Sequence, residues 1–158
     1  MLPPPPPADP AAQLAWLVDR AAIGDLILAF QRAIDEKDRD TYADCFAEDG
    51  KVVLPHMTTE GREAIRTMRH PPAHWRTQHI SSNHQIVVDG STATARAYLQ
   101  AAHQFEPSDL ARNARAGGWY DIALVRTADG WRFASVGLTI VWNTGDMIRP
   151  AAPTATGG

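Results

Sequence analysis

Cysteine is nearly absent: Cys45 is the single one in 158 residues. No intrachain disulfide can form, and the sequence suits a reducing compartment, with the cytoplasm as the expected location. Basic runs are missing too. With a formal net charge of -3 and a pI near 6.0, nothing calls for nucleic acid or an anionic membrane surface as partner. No apolar window is long enough to cross a bilayer, and Met1-Leu2 runs straight into Pro3–Pro7 without the cationic start and apolar stretch of a signal peptide. A soluble protein is expected. There is no glycine-rich phosphate loop, and no Gly-x-Ser-x-Gly turn to present a serine nucleophile. Cys45 falls in an amphipathic helical pattern with Tyr42 and Phe46, where packing explains it. Of six histidines, His70 and His74 lie four apart, but Pro71-Pro72 between them prevents the helical turn that would aim both at one ion. Neither a metal nor a cofactor is expected.

What is present reads as one domain over residues 10–146 between a Pro-rich tail, 1–9, and a disordered Pro/Ala/Thr/Gly tail, 147–158. Asp9-Pro10 makes a helix start, capping residue followed by proline at the first helical position. From there to about Lys37, Leu14, Leu17, Val18, Ile23, Ile27, Phe30 and Ile34 recur at helical spacing, with Gly24 as the place for a break. A short helix capped by Asp38 or Asp40 and stopped by Gly50, a strand over 51–54 and a third helix over 59–70 follow. The second half alternates strand and turn: runs at 76–88, 92–105, 118–127 and 131–142 are separated by Asp89-Gly90, a loop through Pro107 to Gly118, and Asp129-Gly130. Helices first and an antiparallel meander after them imply an α+β domain with a cavity between sheet and helices.

Two strands carry histidine where packing is expected. From Ala93 to Phe105 every second residue is apolar except His103. A buried imidazole needs partners or titrates, so His103 is either a satisfied core residue or the lining of a polar pocket. His79 shares a face with Ser81 and Asn83, which leaves it as a rim residue of a solvated face or as a base. Asp35 ends the long helix, where the helix dipole disfavours a carboxylate unless a partner compensates. If Asp35 meets His79, it fixes the tautomer of the ring and raises its basicity, which suits proton abstraction beside a carbonyl. Asp121, a carboxylate in the apolar strand that also holds Trp119, is counted with Trp119 and Asn83 among residues facing the cavity.

The helix ending Ile34-Asp35-Glu36-Lys37-Asp38, then Arg76-Thr77-Gln78-His79, Ala102-His103-Gln104 and Asp129-Gly130-Trp131-Arg132-Phe133, together resemble the SnoaL-like branch of the nuclear transport factor 2-like superfamily. Within it the nearest resemblance is to the scytalone dehydratases, over roughly residues 12–146. The resemblance implies a cone-shaped α+β barrel, a curved antiparallel sheet packed by N-terminal helices around a deep apolar pocket. It also implies cofactor-free acid/base catalysis on a small-molecule substrate, and dimers or trimers. Asp35 is similar to the carboxylate that orients the catalytic histidine, His79 to that histidine and His103 to the second one. Phe30, Leu99, Ala101, Val136, Leu138 and Ile140 fall where the pocket is lined. Two tyrosines that polarise the substrate carbonyl in the dehydratases are matched by Ile34 and Leu54, and a serine and an asparagine by Trp119 and Asp121. A different substrate follows, with His56, Tyr120 or His103 left to supply the donor. The expected activity is that of a cofactor-independent carbon–oxygen lyase, a dehydratase of an apolar cyclic or polyketide-like molecule. An isomerase or cyclase using the same base, or a non-catalytic small-molecule-binding subunit, are the alternatives.

Overall fold

Asp9 accepts a hydrogen bond from the Ala12 N–H at 2.9 Å, and Pro10 opens α1 (Pro10–Glu36) in the computed structural model. The structure describes residues 4–145, so the tail expected over 147–158, residue 146 and residues 1–3 lie outside the described residues. Gly24 does not break α1, because Ile23 and Ile27 on either side of it are fully buried. Their packing outweighs the glycine penalty of about 1 kcal/mol in a helix interior. Lys37 ends the helix in the left-handed region, at φ 63° and ψ 25°, and its N–H reaches back to the carbonyls of Ala33 and Ile34.

Asp38 caps α2 (Arg39–Asp44), accepting from the Thr41 N–H at 3.0 Å. Phe46, read from sequence as helical, instead begins β1 (Phe46–Leu54). The chain has no choice about Gly50 here, since a Cβ would come within 2.8 Å of the Phe133 carbonyl oxygen. β2 (Met57–Glu60) and α3 (Arg62–Thr67) replace the single helix expected over 59–70. Four mostly exposed residues carry little periodic signal, and β2 forms because its backbone pairs with β1. β3 (Arg76–Asp89), β4 (Thr92–Gln104), β5 (Asn113–Thr127) and β6 (Gly130–Gly145) complete the chain.

The six strands lie in the order β2-β1-β6-β5-β4-β3. β3 to β6 form the antiparallel meander, but β1 joins β6 in parallel, and β2 and β3 remain separate edges. The result is an α+β fold with an open sheet that wraps α1 without closing into a full barrel. Its inner face follows the period-two rule: Ala93, Ala95, Ala97, Leu99 and Ala101 of β4 are all buried. Four of the five are alanines, and their short side chains leave room over the middle of the sheet. Phe30 fills the centre, stacked on Tyr42 at 4.9 Å and edge-on to Tyr120 at 5.7 Å and Phe133 at 5.4 Å. Among the described residues no helix is long and apolar enough to cross a membrane.

Because Phe133 is fully buried in that aromatic cluster, Phe133→Ala is expected to cost about 3–5 kcal/mol in urea unfolding. Leu110→Ala, at a position 76% exposed, should stay within about 0.5 kcal/mol of the parent.

Candidate active site

Asp35 stands one residue from the end of α1, against the partial negative charge of the helix terminus. Three donors compensate it. The His79 ring meets Oδ1 through Nδ1 at 2.7 Å, the His79 backbone N–H donates to Oδ2 at 2.8 Å, and the Thr77 hydroxyl donates to Oδ1 at 2.9 Å. Both Thr77 and His79 belong to β3, an edge strand, which is why a backbone N–H is free to turn to the helix rather than to another strand. Lys37 completes the set. Its Nζ donates to the Thr77 Oγ1 at 2.6 Å, which commits the threonine hydrogen to Asp35. Its position in the left-handed cap turns the chain so that the lysine folds back over the helix end, where Nζ also meets the carbonyls of Ile34 and Asp35 at 3.3 and 3.4 Å.

The electrostatics follow from these contacts. Burial alone would push the Asp35 carboxyl up, but the His79 ring and backbone N–H, the charge of that ring and the Thr77 hydroxyl together hold it below the usual carboxylate range. An ionised carboxylate can only accept, so at 2.7 Å the proton between them is on Nδ1, and in the neutral ring the lone pair is on Nε2. The imidazole is 7% exposed and the carboxylate 25%. On β4, Ala101 pairs with His79 and His103 with Thr77, which brings the two imidazoles to 5.3 Å between centroids at 80°. Burial, then the nearby charges of His79 and Lys37, push His103 down to about 4 against the opposing pull of Asp35. His103 is therefore neutral near pH 7. Burial likewise lowers Lys37, with Asp35 opposing. Cys45, buried and bonded to the Thr41 carbonyl at 3.2 Å, is pushed up to about 12 chiefly by burial and is a packing thiol.

An apolar chamber of about 130 Å³ is walled by Phe30, Ile34, Tyr42, Leu54, Tyr120 and Val136, with Arg69 and His70 also on its wall and Asp35, His79 and His103 outside that wall. Ile34 is the chain neighbour of Asp35, and Tyr120 lies close enough to feel the Asp35 charge. On the outer side of the same helix turn, a groove of about 390 Å³ between α1 and β3 runs past Gln31, Asp35, His79 and Ser81. Among the described residues no three His, Cys, Asp or Glu side chains cluster to hold a metal ion.

Of the residues singled out in the sequence, the structure brings together Asp35, His79 and His103. It sets Phe30, Leu54 and Val136 in the chamber wall. Leu99 and Ala101 are buried on the face that carries His103, Leu138 is half-buried against the core, and Ile140 follows on the same face of β6. Four expectations need correction. Trp119 and Asp121 lie on the outer face of the sheet, where Asp121 pairs with Arg96 at 2.7 Å and accepts from the Trp119 indole at 3.1 Å. Their neighbours Tyr120 and Ile122 face inward instead, and a shift of one residue in a strand exchanges its two faces. His56 is exposed in the turn between β1 and β2. Asn83 is exposed at a bulge in β3, at φ 52°, away from the chamber. Sequence reasoning missed Thr77, Lys37 and Tyr42. The Arg76-Thr77-Gln78-His79 run held Thr77 in view, but nothing linear signals that Lys37 folds back onto it.

The family model for the SnoaL-like domain matches residues 16–137. An uncharacterised protein of Mycobacterium tuberculosis is 29% identical over 133 residues, 75% of this chain and 83% of its own. Among solved structures, a provisionally named scytalone dehydratase of Novosphingobium aromaticivorans superposes with a TM-score of 0.71 at 23% identity, covering 90% of this chain and 97% of its own. A hexachlorocyclohexane dehydrochlorinase of Novosphingobium barchaimii gives 0.71 at 18%, covering 87% and 98%. At such identities these two structures establish the shared fold.

Two titrations check the electrostatics. The His103 ring, followed by NMR, should titrate near 4 rather than near the ordinary 6.5. The folded carboxyl of Asp35 lies below its unfolded value, so its contribution to stability is full above the ordinary carboxylate range and is lost as pH falls through the folded value. Asp35→Asn should accordingly be less stable than the parent at pH 7, with the difference shrinking as the pH drops below about 4.

Proposed function

The chain belongs to the SnoaL-like domain family, and on that premise we propose that it is a cofactor-independent lyase of the dehydratase kind, acting on a small, mostly apolar, cyclic or polyketide-like molecule. The observation that carries the proposal is the 2.7 Å contact between a nearly buried His79 and Asp35, whose chain neighbour Ile34 walls an apolar chamber. In this reading Asp35 holds the ring with Nε2 free, and Nε2 removes a proton from the carbon next to a carbonyl. The electron pair of the broken C–H bond becomes the new C=C bond as the neighbouring C–O bond breaks.

His103 is neutral near pH 7 and has one N–H to offer, so its part is to hold the departing oxygen rather than to protonate it. The proton that converts that oxygen to water is the one His79 has just accepted, which returns His79 to its starting state. Lys37 and Thr77 are positioning residues in this scheme, because they touch Asp35 and each other and not the His79 ring. An isomerase would use the same base and return the proton to carbon, and the mass of the product separates the two.

The test is a panel of β-hydroxy ketones of one or two rings, incubated with the parent and with His79→Ala. We expect loss of the mass of one water from at least one of them, and a fall of at least about a hundredfold in that rate for the variant. A folded His79→Ala protein with undiminished turnover would end the proposal.

A further inference from the structure

α1 carries two apolar faces, and the fold uses one of them. Ile23, Ile27 and Phe30 are buried in the core, whereas no residue of the helix before Ile23 is buried at all. On the other face Leu14, Leu17, Ala21, Gly24 and Leu28 follow one another at alternating three- and four-residue steps. Leu14, Leu17, Val18 and Leu28 are each more than half exposed. A helix that is apolar on two sides is ordinarily buried on two sides. We propose that this stripe pairs with the same stripe of a second copy, α1 against α1 and antiparallel, to make a two-fold dimer. The inference does not depend on the lyase reading.

The stripe is its own complement. Leu17, Ala21, Gly24 and Leu28 run large, small, small, large, so an inverted copy sets Leu17 against Leu28 of the second copy and Ala21 against its Gly24, in each half of the pair. Gly24 is the clearest sign. A Cβ at that position would meet nothing within 4 Å, so the single chain does not ask for glycine where alanine is the better helix former. Two helices crossing at Ala21 and Gly24 do ask for it, because small residues let their backbones approach. In the same register Leu14 of the second copy falls beside Gln31, where the groove of about 390 Å³ has Leu28 and the exposed Ile80 as apolar walls. That groove receives a leucine as a hole receives a knob. The second copy thereby covers the outer side of the Asp35–His79 pair, which lies along it.

Size and charge fit a second copy better than other occupants. The strip from Leu14 to Leu28 is about 21 Å long on a helix about 10 Å across, and with Ile80 and the β3 edge at both ends the pair buries roughly 1,000 Å², the lower bound of a specific interface. No position of the stripe carries a charge that the inverted copy would bring against itself. A membrane surface would ask for a basic flank, but from Pro10 to Leu28 the one cation is Arg20, and it is bound to the Ile86 carbonyl. The outer sheet face is also partly apolar, yet it covers itself. Arg96 lies over the Trp119 ring at 4.9 Å and pairs with Asp121, and the Trp142 indole lies against Gly117.

The test is sedimentation of the full-length protein from about 2 to about 200 micromolar, the range for an interface of this size. The parent should be a dimer at the upper end. Leu17→Glu and Gly24→Leu, both at positions that face open space and so both expected to fold, should each weaken the dimer at least about tenfold. Trp142→Glu on the sheet face should leave it unchanged. Under mild oxidation, a mixture of Leu17→Cys and Leu28→Cys chains should crosslink while neither variant does so alone, since only the antiparallel register brings these two positions into one layer. A parent that stays monomeric at the upper concentration, a dimer lost in Trp142→Glu but kept in folded Leu17→Glu and Gly24→Leu, or crosslinking of either cysteine variant by itself would each overturn the proposal.

Discussion

One carboxylate at the end of the first helix holds the architecture and the chemistry together. Asp35 takes a ring N–H, a backbone N–H and a hydroxyl from the same edge strand, and in doing so ties α1 to β3 at the open side of the sheet. An edge strand ordinarily leaves its backbone donors exposed to solvent or to a pairing partner. Here one of them is spent on a side chain, and the strand that results is fixed in register against the helix. The cost of placing a negative charge at a helix C-terminus is offset by the same contacts that orient the imidazole.

Charge is then distributed outward from that point. Lys37 supplies the positive end, through Thr77, and it also adds to the field that keeps His103 neutral. Two imidazoles with centroids 5.3 Å apart thereby take different roles although their residue type is the same. One has a carboxylate on its Nδ1 and the other has burial and cationic neighbours against it. Two like side chains in such different surroundings suit different parts in acid/base chemistry.

How much of this was legible follows from periodicity. The alternating alanines of β4 gave the inner face and placed His103 on it, and the Asp9-Pro10 start located α1 to the residue. The link between Asp35 and His79 could be posed from the misfit of each residue in its own element, a carboxylate at a helix C-terminus and an imidazole on a strand face. Failures came where one residue of register decides the outcome. In β5 the match to the dehydratases and their shared parity put Trp119 and Asp121 inside, whereas Tyr120 and Ile122 are the inward pair. Phe46 looked helical because it follows Tyr42 at helical spacing, yet its ring packs against Phe133 from a strand. Asn83 was assigned by parity across β3, and the bulge there breaks parity at that very residue.

The account turns on which nitrogen of His79 carries the proton when the site is ready to act. Nitrogen NMR of histidine-labelled protein near pH 7 reads this directly. The contact with an ionised Asp35 requires a protonated Nδ1, the role of base requires an unprotonated Nε2, and Asp35→Asn should disturb that pattern. A parent spectrum in which His79 carries its proton on Nε2 alone would contradict the account at its root.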